Sequence, residues 1–150
     1  MLTVKTYLAP SAVHGIGLYA AEAIPARQVL WRHNPHIDPV YTSDDFLRMC
    51  MQLDTTTLQH LLNASYRRGG RYFYITDNAR FINHSDDQYN IVFLDDDTEV
   101  STRDIAPGEE LLENYLLSYD PVDFFFQELR DPDPHLYLKS IQSPGIEYRA

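Results

Sequence analysis

The stretch from Asp77 to Asn90, DNARFINHSDDQYN, concentrates the side chains best suited to chemistry. Phe81 and Ile82 carry the chain inward, and Asn83, His84, Ser85, Asp86 and Asp87 follow at once. Polar groups drawn into a core need partners there, so a segment of this kind marks a site. Three readings are open. Asn83 and His84 could be satisfied polar anchors of a buried loop. His84, Asp86 and Asp87 could ligate a cation with help from His33 or His36, as in a metal-dependent hydrolase, although no HxxxH or HxH spacing accompanies them. In the third, Asn83 and backbone groups hold a small polar ligand.

Two further stretches bear on the choice. HGIGLYA, His14 to Ala20, places two glycines one residue apart, which lets backbone turn tightly and approach a ligand closely. It is not the dinucleotide fingerprint, because the third glycine and the βαβ unit are missing. Taken alone it is a plain turn. GEELLENY, Gly108 to Tyr115, ends an alternating segment on a tyrosine, a residue that buries its ring and keeps its hydroxyl at a partner. Its carboxylates, Glu109, Glu110 and Glu113, read as solvated.

The elements that must position these stretches are short. Val4 to Leu8 and Gln28 to Arg32 read as strands. Ser43 can cap a helix with Asp44 and Asp45 in its first turn, and Phe46, Leu47, Cys50 and Met51 give it a buried stripe. A second helix starts near Thr55 or Thr56, carries Leu58, Leu61 and Leu62 on one side, and ends before Gly69-Gly70. Tyr72 to Ile75 is strand-like, and Ile91 to Leu94 with Thr98 to Ser101 flank Asp95-Asp96-Asp97 as a hairpin. Leu111 to Leu117 is a strand or short helix. Asp120-Pro121 opens a last helix with Val122, Phe125, Phe126 and Leu129 on one face. The pattern predicts one α+β domain, mostly β.

Composition narrows the function classes. The 150 residues suffice for one domain with a real core. A net charge of -10 argues against direct nucleic-acid binding, which needs a basic face, and suits a basic partner. No apolar run reaches the length of a membrane span, and Met1 to Pro10 lacks the core of a secretory signal, so an intracellular home, cytoplasm or nucleus, is expected. The single cysteine, Cys50, excludes an internal disulfide and any multi-cysteine zinc site.

Taken together and in order, the glycine turn, RFINHS at Arg80 to Ser85 and GEEL at Gly108 to Leu111 resemble the SET-domain protein lysine methyltransferases. The resemblance runs from residue 3 to about 119. It departs from the family's NHSCxPN, with Asp86 in place of cysteine, no proline and one extra residue before Asn90. It also departs from ELxxDY, with Asn114 in place of aspartate. The cysteine-rich zinc segment that follows the domain in many members has no counterpart.

The resemblance implies a fold of small curved β-sheets with a knot-like threaded C-terminal segment. It implies a single domain over 1–150, with a core at 3–119, a variable insert at about 28–76 that shapes a peptide groove, and a helix and tail at 120–150. S-adenosylmethionine would lie against His14, Gly15, Ile16 and Gly17, with Arg80, Asn83, His84 and Tyr115. Tyr115 would be the central catalytic hydroxyl and Tyr66 the second, with Tyr72 and Tyr74 as competitors lining the lysine channel. Phe125, among Tyr119, Phe124 and Phe126, would help to wall the pocket. The substrate would be a protein or peptide with an exposed lysine, a histone or other basic tail, and the enzyme a monomer or homodimer. Methyl transfer needs a neutral amine, whereas free lysine has a pKa near ~10.4. An apolar channel and an adjacent sulfonium both disfavour the ammonium. Catalysis is then largely positioning. A SET-fold binding module without activity is the alternative, motivated by Asn114 and the altered loop.

Overall fold

A computed structural model of the chain describes residues 1–94 and 97–120. The expected helix from Pro121 onward, with Phe124, Phe125 and Phe126, lies outside the described residues, as does the Asp95-Asp96 tip. The fold is mostly β, in three small sheets. β1 (Thr6–Pro10) and β2 (Ile16–Ala20) form an antiparallel ribbon in which Pro10 faces Ile16. Ser11 closes its turn, its hydroxyl accepting from the Val13 and His14 N–H groups, and Gly15 supplies a φ of +50°.

β3 (Val29–Arg32) opens a five-stranded sheet, and β4 (Val40–Thr42) leads into a smaller unit. There α1 (Ser43–Cys50) and α2 (Thr55–Asn63) pack on a sheet made by β4, β5 (Ser65–Arg68) and β6 (Arg71–Tyr74). Thr42, not Ser43, caps α1, accepting from the Asp45 N–H at 3.2 Å; the Ser43 hydroxyl instead donates to the Gly70 carbonyl. Asp54 caps α2 through the Thr56 and Thr57 N–H groups, each at 3.0 Å. Phe46, Cys50, Leu58 and Leu62 form this unit's own core with Tyr72. Met51, expected in the stripe, follows the last turn and is 56% exposed. Burial pushes the Cys50 thiol up to about 11, so it is a small buried hydrophobe.

The second helix does not run on to Gly69-Gly70. It stops at Asn63, and the glycines, at φ +55° and +74°, turn the β5–β6 hairpin between Arg68 and Arg71. A two-residue hairpin loop of type I′ needs positive φ at both central positions, which glycine supplies without strain.

A 3-10 turn (Asn78–Phe81) then delivers β7 (Asn83–His84). β8 (Ile91–Leu94) and β9 (Thr98–Ser101) make the expected hairpin. β10 (Leu112–Glu113) enters between β8 and β7, parallel to both, giving the order β3-β9-β8-β10-β7. α3 (Tyr115–Ser118) follows. Leu18, Leu30, Trp31, Phe73, Ile91 and Leu111 fill the main core beneath this sheet. No helix among the described residues is long and apolar enough to cross a membrane.

Candidate functional site

The site is built where β7 and β10 run side by side, Asn83 opposite Leu112 and His84 opposite Glu113. Asn90 pins the two motifs from beneath. It is 1% exposed, its Nδ2 donates to the Glu110 carbonyl at 2.7 Å, and its Oδ1 accepts from the Leu112 N–H at 2.9 Å. Buried amides with this many partners fix register.

Asn83 faces the β1–β2 turn. Its Nδ2 lies 3.1 Å from the His14 carbonyl, 3.2 Å from that of Ile16 and 2.9 Å from Glu110 Oε1. The other Glu110 oxygen accepts from the Tyr19 hydroxyl at 3.2 Å. Lost hydration, then the Glu110 charge, push that phenol up. Gly17 makes room for the carboxylate, because a Cβ there would sit 2.1 Å from Glu110 Oε1. Gly15 is different: no atom of the described residues lies within 4 Å of where its Cβ would be, so among them the turn is open on that side. Three acceptors therefore converge at this turn around one amide donor.

His84 links this side to Tyr115. Its Nδ1 accepts from the Tyr115 N–H at 3.1 Å, which assigns the proton of the neutral ring to Nε2, 3.1 Å from Asp86 Oδ1. The Tyr115 hydroxyl donates to the Ile82 carbonyl. Asn114 caps α3 by accepting from the Leu116 N–H, and its amide donates to the Asp86 carbonyl at 3.2 Å. The two departures from the family pattern thus touch each other, and an aspartate at 114 could not make that second bond while ionised.

Beyond Tyr115 lies a cavity of about 30 Å³, lined by Tyr66, Tyr115, Tyr119, Ser65, Glu99 and Arg80 among others. A row of rings leads into it: His84 to Tyr115 at 5.1 Å, Tyr115 to Tyr119 at 5.1 Å, Tyr119 to Tyr66 at 4.6 Å. Arg80 also lines this cavity, its guanidinium 4.9 Å from the Phe81 ring. Tyr66 and its register partner Phe73 stack on one face of the hairpin. Tyr72 takes the opposite face and stacks on Phe46 at 4.0 Å, in the second core; alternation gives Tyr74 the same side. Neither lines the cavity. Phe125 lies outside the described residues.

Two carboxylates escape sequence reasoning. Glu113 is fully buried, not solvated, and accepts from the Ser118 and Tyr119 hydroxyls at 2.5 and 2.6 Å. Burial pushes its pKa up, opposed by those two bonds and by Arg68. Glu99 is 4% exposed, and burial, then Glu113 and Asp77, push it well above the carboxylate range. Glu109 and Glu110 are also engaged, Glu109 held low chiefly by Arg103. Burial and these carboxylates push the Tyr66 and Tyr119 hydroxyls well up, so both remain protonated donors. The lone signal was position: β9 and β10 are interior strands of the sheet. Among the described residues no three His, Cys, Asp or Glu side chains are grouped to hold a metal ion, and His33 instead bonds the Asp38 carbonyl.

The site can hold a cationic ligand at the acceptor-lined turn and orient a second group among neutral phenols. Comparison with known proteins agrees on the fold. An active polycomb repressive complex 2 in the stimulated state has a chain matching with a TM-score of 0.53 at 21% identity, over 75% of this chain. The Chaetomium thermophilum polycomb repressive complex 2 gives the same TM-score, identity and coverage. The chain covers only 15% of the length of each of those chains. No curated protein matches significantly. The family model described as SET domain matches residues 15–116, more than half of the sequence. The chain belongs to the SET domain family.

Proposed function

We propose that this chain methylates lysine side chains of a protein substrate, with S-adenosylmethionine as methyl donor. The observation that carries the reading is the placement of Tyr115. Its N–H engages His84, its hydroxyl engages Ile82, and its ring lines the tyrosine cavity. One residue thus joins the glycine-turn side to the cavity side.

The glycine-turn side suits such a donor by its chemistry. The Glu110 carboxylate, the His14 and Ile16 carbonyls and the Asn83 amide are an acceptor-rich set, fitting a ligand with ammonium and sulfonium charges, and among the described residues the space beside Gly15 is open. Asn83, His84 and the backbone of His14 to Gly17 would hold the cofactor, which supplies an electrophilic methyl group. Everything else falls to the protein's own groups. The tyrosine cavity strips water from the entering amine, which favours its neutral form. The Tyr66, Tyr115 and Tyr119 rings confine the side chain, and the Tyr115 hydroxyl and the Ile82 carbonyl fix the direction of its lone pair. Residues 3–119 form this unit within one domain over 1–150. The smaller unit of β4, α1, α2, β5 and β6, within the insert 28–76, borders the cavity through Tyr66 and shapes the peptide groove. The net charge of -10 favours a basic tail, such as that of a histone, inside the cell.

The test is incubation of the full chain with S-adenosylmethionine and, separately, mixed core histones and a random lysine-containing peptide pool, read by mass spectrometry. Mass gains of one methyl unit on lysine are expected. Cofactor binding without any transfer would make the chain a binding module; no binding at all would overturn the proposal.

A further inference from the structure

Among the described residues, two of those that line this cavity bury a polar atom with no hydrogen-bond partner: Tyr66 Oη and Glu99 Oε2. Their residues are 5% and 4% exposed. Buried polar groups are rarely left unpaired, because each lost partner costs the full price of desolvation. Two at one space of about 30 Å³ point to a small polar occupant. That volume accommodates one water-sized group. One is a hydroxyl, able to donate or accept, and the other is a carboxyl oxygen.

We propose that Tyr66 and Glu99 form a receptor for the primary amine head of the substrate, in which Glu99 takes the amine's proton. This rests on the reading of the cavity as the lysine site. The step is a proton transfer alone: the N–H bond breaks as an O–H bond forms on the Glu99 carboxylate, leaving R–NH2 with its lone pair free and Glu99 neutral. The proton then passes to solvent when the product leaves.

The charges around Glu99 suit this exchange. Glu113 on β10 and Asp77 before the 3-10 turn oppose its ionisation, while Arg68 on β5 and the N-terminal amine favour it. The Tyr66 hydroxyl, beside it on β5, stays protonated. Burial raises the proton affinity of Glu99 toward that of its guest, which a solvated carboxylate could not approach. An arriving ammonium supplies the missing positive charge, so amine entry and Glu99 ionisation are linked. The size of the cavity adds a selection: it admits –NH3⁺ and rejects a trimethylated head.

The experiment uses the full chain without methyl donor, and n-butylamine as the probe. Glutamate carboxyl ¹³C resonances are followed against pH, Glu99 being identified by its loss in Glu99→Gln and, should that variant not fold, by its shift in Glu99→Asp. Butylammonium should lower the midpoint of Glu99 by about one unit or more, as an adjacent opposite charge does. Tetramethylammonium, equally charged but too large, should not. Tyr66→Phe should shrink the butylammonium effect. An unmoved Glu99 midpoint, or an equal response to both cations, overturns the proposal. With methyl donor and mixed histones, Glu99→Gln should move the rising limb of the kcat/KM profile upward by about one unit. Transfer with an unchanged profile sinks the role of Glu99 alone. An amine-linked midpoint without any transfer sinks the methylation reading and leaves the receptor standing.

Discussion

Tyr115 is restrained at both ends, so removing its hydroxyl changes chemistry more than structure. Tyr115→Phe should keep the fold and cofactor affinity while turnover falls by ~10²-fold or more. Steady-state kinetics beside calorimetric titration of the cofactor checks this, and near-normal turnover would remove Tyr115 from the mechanism. Gly17 gives a second residue-scale test. A Cβ there meets Glu110 at 2.1 Å, so Gly17→Ala must swing that carboxylate away from Asn83 and Tyr19. Cofactor affinity should drop by roughly 1–3 kcal/mol, and adding Glu110→Ala should produce little further loss, because the carboxylate is already displaced. Equal and additive losses in the two single variants would contradict it. The convergence of Asn83, His84 and Tyr115 was legible from motif residues that must find partners. Glu99 and Glu113 were not. A glutamate's default is solvent, and only the pairing of β10 between β8 and β7 puts Glu113 inside.

At the scale of elements, α1, α2 and the β8–β9 hairpin could be read from caps, apolar spacing and alternation. β5 could not: Ser-Tyr-Arg-Arg offers one apolar side chain, and its strand is defined by the Gly69-Gly70 turn and by Tyr66 stacking on Phe73. That turn is held from a distance. Asp120 accepts from the Gly69 and Gly70 N–H groups, each at 2.9 Å, and approaches Arg67 Nη1 at 3.4 Å. The sequence suggested Asp120 as a helix cap; the helix it would cap lies outside the described residues, and its carboxylate bonds the hairpin. Asp120→Ala should lower stability by about 1–3 kcal/mol, with Asp120→Asn recovering part of it. Denaturant unfolding measures both. A neutral Asp120→Ala would mean water replaces the carboxylate without cost.

For the whole molecule, two buried carboxyls set the dependence of stability on pH. Glu99 and Glu113 hold protons more tightly when folded than at the ordinary 4.5. The folded state therefore binds more protons above that value, and stability falls as pH rises through the folded pKa values. Asp45, Asp54 and Glu109 act oppositely: their folded values are depressed, so their contribution is lost only as pH falls below the carboxylate range. The melting temperature should thus peak in mild acid, just above the ordinary carboxylate range, and decline as pH rises from there. Glu99→Gln should flatten that decline; a wild-type profile rising toward alkaline pH would refute the account. The overall charge of -10 makes a separate prediction. Raising salt should increase KM for a basic peptide far more than for a neutral one, as the Debye length contracts to about 8 Å near physiological strength. Equal responses would confine the acidity to solubility.

The position of β10 also dictates an order of events. Its neighbours β7 and β8 both precede it in the chain, yet it lies between them. The β8–β9 hairpin can close on its own local contacts, whereas β10 must find a slot already bounded on both sides. Such non-local, parallel pairing is slow, because the entropy of closure precedes the reward. Asn83, His84 and Tyr115 are therefore brought together last, and a nascent or partly refolded chain has its hairpins before it has a site. A ligand that bridges β7 and Tyr115 would act as a clasp on that final step, slowing unfolding more than it speeds folding.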